Sequence, residues 1–232
     1  YCGRLFFALF VLCFTGLLGV TITGDAFNVF VFLEISSLST YVLIAQGAHR
    51  DKRALTASYN YLIMGTIGAT FFVIGVGFLY MATGTLNMAD LADRIENQYD
   101  SRTVRAAFAF IMVGMGLKVA IFPLHLWLPN AYTYAPSAIT SFLAATATKV
   151  AIYVMLRFLF SVFQPGFLAE VPTLDLILYP FAILAMFAAS YTAILQRDLK
   201  RMLAYSSIGQ VGYMLLGIAL LSESGLMATM IH

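Results

Sequence analysis

The chain has 232 residues, of which 61% are hydrophobic, 15% aromatic and 10% charged, with a formal net charge of +2. A soluble domain carries about 25% charged and 45–50% apolar residues, so a water-soluble globule of this size could not bury the excess, and lipid has to cover it. No basic cluster is dense enough for nucleic acid.

The chain opens on Tyr1, with no charged leader before its first apolar run. It reads as an excerpt of a longer protein without a cleavable signal peptide. Cys2 and Cys13, the only cysteines, lie in that first run. They have neither CxxC spacing nor neighbouring histidines, so they read as small apolar side chains, and neither a metal site nor an iron–sulfur cluster is expected.

A helix needs about 20 mostly apolar residues to cross a bilayer. Runs 5–23, 26–46, 54–82, 103–129, 137–162, 174–195 and 202–221 reach that length, one of them with a break. All are expected to be helices, because isolated strands cannot satisfy their backbone groups in lipid. The predicted fold is all-α: a polytopic transmembrane helix bundle of about seven spans with one broken helix, forming a single transmembrane domain over 1–232. Between the third and fourth runs, 86–99 (LNMADLADRIENQY) has apolar residues at helical spacing but is too polar to cross, and is expected to lie on the outer surface.

The connections 49–53 (HRDKR) and 197–201 (RDLKR) are short and basic, and seven alternating spans put them on one side with Arg4. The positive-inside rule makes that side cytoplasmic. Asp25, the stretch 90–100, Glu170, Asp175 and Glu223 fall on the other side, and Asp25 is also placed to cap the second helix.

Three ionisable residues fall near mid-span at similar depth: Glu34, Lys118 and Lys149. Each costs roughly 2.5–3.5 kcal/mol at mid-membrane on insertion scales, so such residues mark function or at least a structural ion pair. Arg157 sits near the outer end of its span, where its side chain reaches the interface. Glu34 shares a helical face with Ser37 and Tyr41, and Lys149 with Thr146 and Tyr153. Ser206, Gln210 and Tyr213 form a third polar stripe. Such stripes carry water and relay protons, or serve as interhelical hydrogen bonds. Glycines 65, 68, 75 and 77 in the third run read as close helix packing.

The fourth run contains Lys118-Val-Ala-Ile-Phe-Pro-Leu-His125-Leu-Trp-Leu-Pro129. Pro123 has no N–H and clashes with the carbonyl of Val119, so the helix is expected to break just after Lys118. Broken helices at the midplane mark ion sites in transporters. His125, beyond the break, has the chemistry of a proton relay. A movement of Glu34 toward or away from Lys118 would change the lysine's proton affinity, which would load and eject protons at the midplane.

On these residues the sequence resembles the antiporter-like subunits, comprising Mrp-type cation/proton antiporter subunits and the proton-pumping membrane subunits of respiratory complex I. The stretches that carry the resemblance are TGDAFNVFVFLE (23–34), TGTLNMADLA (83–92), GLKVAIFPLHLWLPNAYTYAPSAITSFLAATATKV (116–150) and QRDLKRMLAYSSIGQVGYMLLG (196–217). The resemblance implies a core of two inverted five-helix repeats, with 5–162 as the first and 174–232 as the start of the second. It matches Glu34 to the family's essential glutamate, Lys118 to the lysine of the first broken helix, His125 to the histidine after it and Lys149 to the lysine of the connecting axis. His232 looks like the first histidine of the next span. Segment 83–92 leans toward the Mrp D-like or hydrogenase-associated branch. The resemblance further implies other membrane subunits of a hetero-oligomeric antiporter or respiratory complex as partners and a bacterial or archaeal inner membrane as location. The sequence has no nucleotide loop, haem-ligand pair or cluster ligands, so no cofactor is expected in this chain, and it leaves open whether Na+ moves as well as protons. Three readings stay open: a translocation subunit with no redox chemistry of its own, the redox-driven membrane arm of an NADH–quinone oxidoreductase, and a scaffold that anchors its neighbours without transport.

Overall fold

The computed structural model describes residues 2–171 and 173–232. The side chains of residues 2, 3, 169 and 173–175 lie outside that description, and with them the readings made above on Cys2 and Asp175. Every regular element among the described residues is a helix, and a single bridge joins Asp25 and Asn87. The elements in chain order are α1 (Cys2–Ile22), α2 (Ala26–Ala45), α3 (Arg53–Thr83), α4 (Met88–Ile95), α5 (Arg102–Val119), α6 (Trp127–Tyr134), α7 (Ser137–Leu156), α8 (Gln164–Ala169), α9 (Thr173–Ile194), α10 (Leu199–Ala219) and α11 (Glu223–Ile231).

Six helices are long and apolar enough to cross a membrane: Arg4–Ile22, Ala26–His49, Arg53–Thr83, Ser137–Val162, Leu176–Ile194 and Leu199–Ala219. The fourth apolar run is divided instead between α5 and α6, with a non-helical turn between them, and α5 carries Arg102, Arg105 and Lys118 in its 18 residues. The fold is an all-α polytopic membrane bundle. Its outward side chains are apolar, among them Phe7, Ile22, Phe187 and Ile194, each more than two-thirds exposed. A water-facing surface would not present such a belt.

Helix ends follow local chemistry. Asp25 accepts from the Asn28 amide (2.8 Å) to cap α2, Asn87 caps α4 and Asp198 caps α10, each supplying an acceptor to amides that lack an intrahelical partner. Gly84, at φ 72°, ends α3 in the left-handed conformation that glycine adopts without a Cβ clash. Two of the motif stretches then pair with each other. Ala26 N donates to Leu86 O and Met88 N to Gly24 O, both at 2.9 Å, so the α1–α2 turn and the entry to α4 share one short ladder. From there α4 buries Met88, Leu91, Ala92 and Ile95 and leaves Asp90 and Arg94 outward. The amphipathic segment is therefore embedded along one face and is not merely resting on the surface.

Helices α3 and α5 approach closely, and glycine sets the contact. A Cβ on Gly114 would lie 2.6 Å from Gly68 O, and one on Gly75 would lie 2.9 Å from Ala107 O. At the Gly68–Gly114 crossing the backbones touch because neither residue carries a side chain. Gly77 has open space around it, so it takes no part in that packing. After α7 the chain continues as a π-helical turn, Arg157–Val162. Arg157 there donates to Thr23 O (2.7 Å). The side chain thus bonds the α1–α2 turn.

Candidate functional site

Lys118 sits on the last turn of α5, and that helix ends one residue later. Ala120 takes up φ 63°, its amide donates to Leu117 O (3.3 Å), and the Ile121 amide donates to Gly116 O (2.9 Å). This is the paired 5→2 and 6→1 pattern of a Schellman end, here with alanine where glycine is usual. Pro123, which has no amide to offer a continuing helix, follows in the turn. Trp127, at the start of α6, donates its indole N–H to Leu117 O (3.1 Å). Carbonyls that the break leaves without helical partners therefore find donors inside the protein.

Glu34 projects from the middle of α2 toward this end of α5. Lys118 Nζ donates to the Ser37 hydroxyl at 2.7 Å and to Glu34 Oε1 at 3.4 Å. The ammonium side chain is 9% exposed and the carboxylate side chain 23%. The glycines of α3 make the room: a Cβ on Gly65 would be 3.9 Å from Lys118 Nζ, and one on Gly68 would be 3.1 Å from Leu117 Cβ. Beside the pair, Glu34, Ser37, Tyr41, Tyr61, Gly65 and Thr66 line a void of about 10 Å³, close to the least space that holds one water. Three helices thus enclose an ion pair, hydroxyls of different acidity and room for a proton carrier.

Tyr61 carries no mark of its own in the sequence, where it is one aromatic residue in an apolar run. It lines the void, and its ring meets Trp127 edge-on with centroids 5.1 Å apart. The signal for it is the spacing Tyr61, Gly65, Gly68, which places all three on one face of α3.

His125 lies in the turn between α5 and α6, buried, with its ring stacked on Phe122 (5.1 Å, 20°). Its Nδ1 is buried without a hydrogen-bond partner among the described residues. A titratable nitrogen in that condition calls for a water or a transferable proton.

The structure does not bring Lys149 to this group. Its side chain lies on an exposed face of α7, where Nζ donates to Ala144 O (2.7 Å) of its own helix. Thr146 bonds back to Phe142 O (2.7 Å), and Tyr153 reaches Thr21 O (3.4 Å). Lys149 thus lies apart from Glu34 and Lys118 in this chain, since helical periodicity shows which residues share a face but not what that face meets. Gln210 and His232 bond each other side chain to side chain, with Tyr213 against the histidine ring (5.6 Å), on a separate face formed by α10 and α11. No group of three or more His, Cys, Asp or Glu placed to hold a metal ion occurs among the described residues.

The Glu34–Lys118 pair thus lies where the fourth apolar run is broken between α5 and α6. The family model described as "NADH:quinone oxidoreductase/Mrp antiporter, TM" matches residues 23–232. The chain belongs to this family. Within it, NADH-quinone oxidoreductase subunit N of Desulforudis audaxviator is 48% identical over 98% of the chain and 44% of its own length. The D subunit of the Na(+)/H(+) antiporter of Alkalihalophilus pseudofirmus is 36% identical over 94% of the chain and 43% of its own. Among solved structures, the Mrp complex of Dietzia sp. superposes with a TM-score of 0.83 at 30% identity, over 94% of this chain and 40% of the matched one. Respiratory complex I of Thermus thermophilus gives 0.74 at 28%, over 94% and 46%. The chain spans less than half the length of the relatives it matches. As a member of the NADH:quinone oxidoreductase/Mrp antiporter family with six apolar spans, it is an integral membrane protein.

Proposed function

We propose that this chain is part of a membrane subunit that translocates protons through a midplane chain of side chains in which Glu34 and Lys118 are the loading pair. The observation that carries this reading is the Lys118 ammonium, enclosed between α2, α3 and α5, bonded to Ser37 and 3.4 Å from Glu34 Oε1. When the carboxylate approaches, it favours the protonated lysine; when it withdraws, burial favours the neutral amine and releases a proton. His125, with a free buried nitrogen just beyond the break, is the next acceptor in line. Ser37, Tyr41 and Tyr61 offer hydroxyls beside the void. Lys149, Thr146, Tyr153, Gln210 and His232 lie on faces apart from this group and would join it through water or further protein. Segment 5–162 serves as a first repeat and 174–232 as the start of a second.

The two basic loops, 49–53 and 197–201, are placed on the cytoplasmic side of a bacterial or archaeal inner membrane, where their positive charge favours retention. Partners are other membrane subunits. The 36% identity to the D subunit of an antiporter supports proton exchange, with Na+ as counter-ion. The 48% identity to a subunit N supports the second reading, a membrane-arm subunit of an NADH-quinone oxidoreductase whose redox chemistry resides in partner subunits. Co-purification with flavin and iron–sulfur subunits decides for the second reading, and co-purification with small membrane subunits alone decides for the first.

Proton flux into vesicles holding the intact complex tests the shared claim. Glu34→Gln and Lys118→Ala should each lower flux at least about tenfold, the effect of roughly 1.4 kcal/mol on a barrier. Full flux in a correctly assembled Lys118→Ala complex overturns the claim and leaves a scaffold role.

A further inference from the structure

A second cavity lies where 46–53, 133–137 and 198–200 meet, a half-open cleft of about 600 Å³. Arg50, Arg53 and Lys200 line it together with His49, bringing cations from two loops far apart in the chain to one place. The two carboxylates that also line it are already engaged. Asp51 is held by Arg53 (2.7 Å), and Asp198 accepts from the Lys200 amide (2.9 Å) in capping α10. The Arg50 and His49 side chains make no hydrogen bond among the described residues. Lys200 Nζ spends one donor on Ala135 O (2.9 Å) and keeps two more. Helix α7 also begins at this cleft, at Ser137, and its N-cap is Pro136, which supplies no side-chain acceptor. Its first amides therefore lack a side-chain cap and carry partial positive charge.

Three fixed cations against two engaged carboxylates leave a single positive charge, which suits a monoanion with several acceptor oxygens. The setting narrows the choice further. The cleft is bordered by the first residues of α3, α7 and α10, each the start of a helix long and apolar enough to cross a membrane. Leu199, 66% exposed, forms part of its wall, and Ile194 and Leu195, 80% and 61% exposed, precede that wall in the chain by three residues or more. A free phosphate has no use for that apolar border, but an acyl chain does. We propose that this cleft binds the phosphate of an anionic phospholipid headgroup, with the acyl chains along the end of α9. Basic pockets between helix ends are suited to such headgroups. The inference is independent of the proton pathway.

The test is native mass spectrometry of the intact purified protein, offered phosphatidylglycerol and phosphatidylcholine with identical acyl chains. Phosphatidylglycerol should be retained in preference. Arg50→Gln, which removes a side chain that supports nothing in the fold, should weaken retention about fivefold, and Arg50→Ala with Lys200→Ala roughly thirtyfold. Arg50→Lys with Lys200→Arg should keep the parent preference. Equal retention of the two lipids, parent-like binding by Arg50→Gln, or complete displacement of phosphatidylglycerol by inorganic phosphate at equal concentration each overturns the proposal.

Discussion

The indole N–H of Trp127 donates to the carbonyl of Leu117 at 3.1 Å, bridging the two sides of the helix break one residue before Lys118. The same ring abuts Tyr61, which lines the void beside Glu34. Trp127→Phe keeps most of the ring packing and deletes the donor. It should cost about 1 kcal/mol in stability, the usual worth of one such bond, and loosen the position of Lys118. Thermal melts check the first part. The second would show as faster backbone hydrogen exchange at 117–121 with little change elsewhere.

The Glu34–Lys118 pair makes a stability prediction separable from transport. Removing one partner of a buried pair leaves a charge without compensation and costs about 3–5 kcal/mol, whereas replacing both by apolar groups is often close to neutral. Lys118→Met alone should therefore destabilise more than Lys118→Met combined with Glu34→Leu. Chemical unfolding of the three proteins in the same detergent checks the order. A double variant less stable than the single would show that the pair is not the main interaction of either group.

Gly114→Ala should be harmful and Gly77→Ala harmless. A Cβ at 114 would lie 2.6 Å from Gly68 O and 2.7 Å from Phe72 N, both backbone atoms that cannot rotate away. Overpacking of that kind costs about 1–3 kcal/mol. At 77 nothing lies within 4 Å, so the change should stabilise by up to about 1 kcal/mol through helix propensity. Melting temperatures of the two variants, measured side by side, test the contrast.

The hydrogen bond from Arg94 (2.9 Å) holds the Asp90 carboxyl below its usual value, with Thr85 adding to the effect. A depressed folded value contributes stability above the unfolded value of about 3.9, and that stability is lost as pH falls through the folded value. Asp90→Asn should therefore melt slightly below the parent at pH 7 and pH 5, and the gap should narrow as the pH falls below the unfolded value of about 3.9. A gap that widens toward acid would contradict the sign.

Much of this molecule is legible in its residues, and the parts that are not have identifiable reasons. Long apolar runs give the spans, because lipid leaves few other conformations available. Pro123 in the fourth run marks the region where α5 gives way to a turn, since a missing amide is visible in the residue itself. The partnership of Glu34 and Lys118 is foreshadowed only by cost, as two charges at one depth need each other. Lys149 shows where such reasoning stops. Its stripe with Thr146 and Tyr153 is real, yet the face it defines is exposed in this chain and not turned toward Glu34. Tyr61 is silent in the sequence because its importance comes from what α5 and α6 place around it. The π-helical turn at Arg157–Val162 has no residue signature that sets it apart from the α-helix it continues.

Close glycine contacts divide this part of the protein into two stiff pairs. Gly16 and Gly19 let α1 press directly on Ser36 and Phe32 of α2, just as Gly68 and Gly114 join α3 to α5. Glu34 belongs to the first pair and Lys118 to the second, so a slide of one pair along the other would change their separation. A neighbour elsewhere in an assembly would not have to touch either charged group to alter it; a push on α1 would carry the carboxylate along as a lever carries its load.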